Sequence, residues 1–360
     1  MPPLRLGIIG CGAVTQVQHL PNLMELQEEF AVTIVCDRSP ALARWVADQF
    51  HIPRHVSDHR DLLAADIDAV LLCHSDPKTE VAVASFAAGK HVFIEKPVCY
   101  SLEEMDAISE AAQAAGTVAQ VGYMKVYDPA FLMAQREVEA MNGIRFAQVN
   151  HLHVDNKLHL AQFQLKSFDD IPEAAVAAQQ TARRQALKEA LGEPPPEAER
   201  AFFILSGSAI HDLYGLRTLF GQPERVASTE VWYDGWGINT VLQYAGDFRC
   251  ALTWVELLKV WAFEETLEVY GDDRRVLLSY PSGFTRGQPS DLAIHGINAA
   301  GTSYRQQPAV PWDNPFTNEL RHFHECITEG VPCRTPLSSA RDDVSLIIDI
   351  VRAYIAGSSR

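Results

Sequence analysis

Leu4-Arg5-Leu6-Gly7-Ile8-Ile9-Gly10-Cys11-Gly12-Ala13-Val14-Thr15 is the stretch that decides the fold. A brief, almost wholly apolar run passes straight into a Gly-x-Gly turn. Such a run lacks polar alternation because a parallel strand covered on both faces has no wet side. Gly10 permits the tight turn and Gly12 a close approach to the backbone. The N–H groups opening the next helix, at Ala13 and Val14, then offer a seat for a pyrophosphate. Thr15 stands where the usual fingerprint has its third glycine, and a Gly-x-Gly alone also fits a plain strand-to-helix turn.

Context decides between the two. Val32 to Cys36, Ala69 to Leu72, His91 to Ile94 and Val118 to Val121 repeat the short buried-strand pattern, separated by helical stretches. That alternation predicts a parallel sheet with helices on both faces. Ser101 and Glu104 form a capping box that opens a helix with apolar residues at Leu102, Met105, Ile108, Ala112 and Ala115, stopped by Gly116. Past Gly122 the pattern changes. A helix from about Pro129 to Met141 precedes longer alternating strands at Ala147 to Val154, Arg225 to Tyr233, Ile238 to Tyr244, Phe248 to Trp254, Thr266 to Tyr270 and Arg275 to Leu278. Their short connections favour antiparallel pairing. The fold class is therefore α/β: an N-terminal dinucleotide-binding domain over residues 1–124, then an α+β domain with an open, mostly antiparallel sheet over 125–360. Ala-rich Glu173 to Leu191, stopped by Gly192 and Pro194-Pro195-Pro196, reads as part of a helical insertion over about 157–205 lying on the second domain. Two helices, Thr317 to Glu329 and Ser338 to Ala356, end the chain.

Charge excludes some classes of partner. Lys plus Arg number 30 against 46 Asp plus Glu, a formal net charge of −16 that repels nucleic acid and anionic lipid. No apolar run approaches the ~18 residues of a membrane helix, and the first residues lack the pattern of a signal peptide. Seven cysteines without a Cys-x-x-Cys pair read as reduced thiols of a cytoplasmic protein.

At the end of the second strand, Asp37 lies 25 residues after Gly12, where an acid accepts hydrogen bonds from an adenosine ribose diol. An Asp there repels a 2′-phosphate and favours NAD; Arg38 beside it keeps NADP as the second candidate. The fifth strand runs into Glu95-Lys96-Pro97, and the carboxyl ends of such strands are where ligands bind.

Gly10-Cys11-Gly12, Ala88-Gly89-Lys90-His91-Val92 with Glu95-Lys96-Pro97, and Val121-Gly122-Tyr123 with Asp128-Pro129 resemble the glucose-fructose oxidoreductase and inositol dehydrogenase (Gfo/Idh/MocA) family in order and spacing. Asn318-Glu319 and the last helix are similar too. The resemblance implies a Rossmann domain holding NAD(P) and a second domain for a sugar, cyclitol or sugar derivative. It implies cofactor contacts at Gly10, Gly12, Ala13, Val14, Asp37, Arg38, Cys73, His74, Ser75, Glu95, Lys96, Pro97 and Tyr123. Lys96 matches the catalytic lysine. His211 falls on the motif histidine of Ser206-Gly207-Ser208-Ala209-Ile210-His211-Asp212, although Gly207 replaces the motif's first aspartate. After the fourth strand the chain has Ser75-Asp76-Pro77 in place of Thr-Pro-Asn, Glu80 replaces a common histidine, and Met124-Lys125 replaces Asn-Arg.

The expected chemistry is hydride transfer between a nicotinamide and a secondary hydroxyl. His211 takes the hydroxyl proton and Lys96 orients and polarises the oxygen, for a free lysine, with pKa near ~10.4, is a poor base at neutral pH. Lys125, His153, Asp155, Asn156 and Asp212 are the candidate substrate ligands. His151, His153 and Asp155 share one strand face but lack a clear fourth metal ligand, so no metal is expected. His322 and His324, two apart on a helix, do not face each other. Trp232, Tyr233, Trp236, Trp254 and Trp261 mark the antiparallel sheet and suggest a homodimer or homotetramer formed through it. Two alternatives stand beside the dehydrogenase: a cofactor-binding regulator without turnover, and an enzyme whose transient oxidation serves elimination or glycoside cleavage.

Overall fold

The computed structural model describes residues 2–75 and 77–358, so the Asp76 of the fourth-strand motif lies outside the described residues. The alternating N-terminal runs form six strands: β1 (Leu4–Ile9), β2 (Phe30–Cys36), β3 (Arg54–Val56), β4 (Ala69–Leu72), β5 (His91–Glu95) and β6 (Ala119–Gly122). All pair in parallel, in the order β3-β2-β1-β4-β5-β6. The order reverses between β1 and β4, which makes their carboxyl ends the topological switch point where doubly wound sheets open a crevice. The three-residue β3 is too brief to read from hydropathy.

The later strands form the second sheet: β7 (Ile144–Val154), β8 (Arg225–Trp232), β9 (Gly237–Gln243), β10 (Arg249–Leu257), β11 (Glu264–Gly271), β12 (Arg274–Tyr280), β13 (Asp291–Ile297) and β14 (Ser303–Gln306). Its order is β14-β13-β12-β11-β7-β10-β9-β8. Neighbours are antiparallel except β7 and β10, which run in parallel with Trp254 opposite His151. A long excursion of the chain separates those two strands, as parallel pairing requires. The sequence pattern passed over β13 and β14.

Two compact units result, and neither is continuous in sequence. The first takes the chain up to Tyr123, then Phe163–Glu193 and Phe316–Val344; the second takes Met124–Gln162, Pro194–Pro315 and Ser345 onward. This differs from the continuous division at residue 124, and the reasons are local. On the helix Pro315–Thr328, Leu320 and Phe323 are fully buried in one core with Leu6, Ile8, Leu71 and Phe93. The Phe93 and Phe323 rings meet edge-on at 5.8 Å. Burying one such side chain contributes about 1.5–3 kcal/mol. The helix Glu173–Leu191, expected on the second domain, instead docks on the first unit: Ser101 Oγ donates to Glu189 Oε2 at 3.0 Å and Arg183 lies 5.9 Å from the Tyr100 ring. Among the described residues no helix is long and apolar enough to cross a membrane. The cysteines are all free thiols.

The capping box forms as read: Ser101 Oγ accepts from the Glu104 N–H at 3.1 Å and Glu104 Oε2 accepts from the Ser101 N–H at 3.2 Å, opening the helix Leu102–Ala115. Ser101→Ala removes both this cap and the bond to Glu189. The variant is expected to lose about 1–2 kcal/mol of stability, read as a lower urea midpoint at unchanged slope.

Candidate active site

In the first unit the site starts at the exit of β1. Gly10 adopts φ +99°, and a Cβ there would lie 2.2 Å from the His74 backbone nitrogen, so only glycine lets the ends of β1 and β4 lie side by side. A Cβ on Gly12 would meet nothing within 4 Å, leaving the open face that a pyrophosphate needs. Thr15 has a role in place of the missing glycine: its buried hydroxyl donates to the Gly10 carbonyl at 2.6 Å and ties the loop shut from behind. Asp37 braces the same loop, with Oδ2 accepting from the Cys11 N–H at 2.8 Å and Oδ1 from the Ser39 N–H at 2.9 Å. One lone pair on each oxygen is left for a ribose hydroxyl. Ala13 and Val14 are half-buried at the start of the helical run, and Arg38 is exposed.

At the exit of β4, the Cys73 N–H donates to the Ile9 carbonyl at 2.8 Å. Burial, aided by the Lys78 and Arg38 charges, pushes the His74 imidazole down to about 3, so it is neutral. Ser75 is exposed and Tyr123 is buried. These features fit a dinucleotide.

The Glu95-Lys96-Pro97 turn at the end of β5 is held from within. Glu95 is buried; its Oε1 accepts from His19 Nε2 at 2.6 Å and its Oε2 from the Lys96 N–H at 3.2 Å. Burial works against the Glu95 charge, yet the hydrogen bond and charge of His19 keep its carboxyl below the usual range. Burial lowers the Lys96 pKa and the Glu95 charge opposes the shift. Buried Lys78 donates to the Pro97 carbonyl at 2.8 Å. Behind Glu95, Glu319 is wholly buried, and neither carboxyl oxygen has a hydrogen-bond partner among the described residues. Burial, reinforced by the Glu95 charge, raises its pKa well above the usual range. Thus Glu319 is a neutral acid beside an ionised one.

The second unit gathers another buried cluster. His151 Nδ1 lies 2.8 Å from Asp212 Oδ2 and 3.7 Å from Glu265 Oε1, and Lys125 forms an ion pair with Glu265. His151 Nε2 faces His153 Nδ1 at 3.3 Å and Ser208 Oγ at 3.5 Å, and Ser208 accepts from Trp254 Nε1 at 3.0 Å. The Asp212 carboxylate fixes Nδ1 of His151 as the protonated nitrogen. The His153 ring stacks on Trp254 at 5.4 Å. His151, Asp212 and Glu265 lie close enough to share an ion, but the Lys125 ammonium already supplies the cation there, which argues against a metal.

Of the residues read as substrate ligands, Lys125, His153 and Asp212 therefore converge. Asp155 and Asn156 do not join them: Asp155 Oδ1 caps the short helix Asn156–Leu160 through the Lys157 N–H at 2.9 Å, and Asn156 is exposed. Lys96 lies in the first unit and His211, half-buried on the first turn of the helix Ile210–Phe220, in the second. The sequence reading missed His19, Lys78 and Glu319 around Glu95, and Ser208 and Glu265 around His151. Glu265 stands opposite His151 in the β7–β11 register, a relation visible only once strands are paired.

Residues 4–123 match the family described as "Oxidoreductase family, NAD-binding Rossmann fold". The match is confined to that domain, one third of the chain, and it is to the family that the Gly10-Cys11-Gly12 and Glu95-Lys96-Pro97 motifs resemble. It is 36% identical over 141 residues to inositol 2-dehydrogenase of Burkholderia multivorans, a match covering 38% of this chain and 42% of that enzyme. The chain thus spans about two fifths of the length of the first relatives it matches. It is 24% identical to scyllo-inositol 2-dehydrogenase (NAD(+)) of Bacillus subtilis over 98% of each chain. The fold of UDP-N-acetylglucosamine 3-dehydrogenase from Acidithiobacillus ferrooxidans superposes with a TM-score of 0.74 at 18% identity, covering 99% of both chains.

The state of Glu319 sets a pH dependence. Its folded pKa is raised above the unfolded value, so the native chain binds a proton that the unfolded chain releases as pH climbs past ~4.3, and stability falls with pH. Glu319→Gln abolishes that loss. Urea unfolding at pH 5 and pH 8 should show the native chain losing stability between the two and the variant gaining on it over that range.

Proposed function

We propose that the chain is an NAD(P)-dependent dehydrogenase that transfers hydride between a nicotinamide and a secondary hydroxyl of a sugar or cyclitol. The observation that carries this reading is Lys96. It is a lysine of depressed pKa at the carboxyl end of a parallel strand, backed by the Glu95–His19 pair, on a sheet whose switch point opens on Gly12. The names of the inositol and sugar dehydrogenases above support the substrate class.

A bound nicotinamide supplies the hydride acceptor. Gly10, Gly12, Ala13 and Val14 would hold the pyrophosphate, Asp37 the ribose diol, and the turns after β4 and β5 the remainder. Lys96 orients and polarises the reacting oxygen through its ammonium. His211 is assigned the hydroxyl proton. Lys125, His153 and Asp212 hold the substrate's other hydroxyls, with His151 and Glu265 keeping Asp212 and Lys125 in place. Exposed Trp232, Tyr233 and Trp236 support self-association of the second sheet.

Purified protein mixed with NAD and a panel of inositols and sugars should generate the absorbance of reduced nicotinamide with at least one member. Cofactor binding without turnover across the panel would replace this reading with the regulator. Lys96→Met should lower kcat at least ~100-fold while the cofactor Kd stays within about twofold, measured by titration of protein fluorescence. Normal turnover by that variant ends the assignment of Lys96.

A further inference from the structure

Within the first unit, the segment Phe163–Glu193 lies against the turns where a dinucleotide would lie. Near its start, the Lys166 N–H donates to Gln16 Oε1 at 3.0 Å and the Lys166 carbonyl accepts from Gln16 Nε2 at 3.0 Å. The same Gln16 amide holds the Cys11 carbonyl at 2.7 Å, so the segment is pinned to the glycine loop itself. Further along, Gln179 Nε2 donates to Ser75 Oγ at 3.0 Å and Gln179 Oε1 lies 3.5 Å from Arg38 Nη1. Farther from the loop, Glu189 and Arg183 anchor on Ser101 and Tyr100.

Between these anchors sits Asp170. One of its oxygens accepts from the Ser39 hydroxyl, and Oδ2 accepts from the Ala41 N–H at 2.9 Å. Ser39 and Ala41 open the helix Pro40–Gln49, directly after Asp37 and Arg38. At this helix start Pro40 has no N–H and the Leu42 N–H is capped by Ser39 Oγ at 3.0 Å, so the donors open to an anion are the Ala41 N–H and the Ser39 hydroxyl, at the positive end of the helix dipole. Here the anion is a carboxylate of the chain. The two bonds, Ser39 first, hold the Asp170 carboxyl below its ordinary range, so it is ionised at neutral pH.

We propose that Phe163–Glu193 is a strap across the dinucleotide end of the first unit, and that Asp170 takes the donors a 2′-phosphate would require, making the chain selective for NAD. The assignment rests on the reading of this unit as a nicotinamide site. Asp37 at the end of β2 suits the 2′-hydroxyl, and a 2′-phosphate there must find partners among Arg38, the Ser39 hydroxyl and the Ala41 N–H. Asp170 has already taken Ser39 and Ala41, and Gln179 lies against Arg38. An incoming phosphate would displace a bonded carboxylate or lie beside it as a like charge. A ribose hydroxyl faces neither penalty.

The test is binding, read from nicotinamide fluorescence in titrations of the full chain with NADH and NADPH. The native chain should bind NADH at least ~10-fold more tightly than NADPH. Asp170→Ser should tighten NADPH binding at least ~10-fold, and Asp170→Asn, which keeps the shape and loses the charge, should gain less. Asp169→Ser removes the same charge one residue away from a side chain with no hydrogen bond to this helix among the described residues, and should leave the NADPH affinity where it was. Native protein that binds neither nucleotide overturns the dehydrogenase reading. Native protein that binds NADH but gains nothing for NADPH in either Asp170 variant, prefers NADPH outright, or responds equally to Asp169→Ser overturns the role of Asp170 alone.

Discussion

The hydrogen bond from His19 to Glu95 is the constraint on which the first unit's chemistry depends. It joins the helical turn after the glycine loop to the end of β5, with both side chains buried. An isolated carboxylate so deeply buried would take up a proton, because desolvation of an ion costs several kcal/mol. With the imidazolium against it, Glu95 stays charged, and that charge does two things. It holds the Lys96 N–H, fixing the turn, and it limits how far burial lowers the Lys96 pKa. The lysine is thereby balanced between burial, which lowers its pKa, and the Glu95 charge, which opposes that shift.

Glu319 shows what happens without such a partner. It lies in the same buried cluster, yet burial, reinforced by the Glu95 charge, outweighs the His19 charge and favours its protonated form. Two identical side chains thus carry opposite charge states through one hydrogen bond. The second unit resolves a similar problem with more groups. Asp212 and Glu265 are both buried, and Lys125 and His151 stand against them. In each unit an acid–imidazole contact lies beneath a less buried residue assigned to the reaction: His19 and Glu95 under Lys96, His151 and Asp212 under His153.

What the sequence made legible follows from the range of the interactions. Gly10, Gly12, the Glu95-Lys96-Pro97 turn and the Ser101 cap are local devices, in which residue types within a few positions of one another meet one backbone requirement. They were readable, as was the parallel sheet, whose strands are uniformly apolar. Glu265 and Glu319 were not singled out as site residues. Each is an ordinary acid on an ordinary element until pairing or packing places it against a histidine more than a hundred residues away. The return of later segments to the first unit was hidden for the same reason: nothing in the sequence of the helix Pro315–Thr328 says that Leu320 and Phe323 fill a core begun by Leu6.

The strap is the sharpest case. Its helix Glu173–Leu191 was delimited to the residue by alanine content and by Gly192, but its destination was not, because the contacts that set it are polar and few. Gln16 and Ser39 drew no attention in the sequence, Ser75 stood out only as a candidate cofactor contact and Ser101 only as a helix cap. Each nevertheless bonds a side chain or backbone group of one segment, and three of the four lie at the loop, helix or turn proposed to hold the dinucleotide. Insertions on a stable fold are tolerated where the loop-closure cost is small. One that bonds three separate turns, through the Lys166 backbone and the Asp170 and Gln179 side chains, is fixed there by what those turns leave unsatisfied. Arg38, which taken alone pointed toward a phosphate, therefore has to be read together with a carboxylate more than a hundred residues downstream.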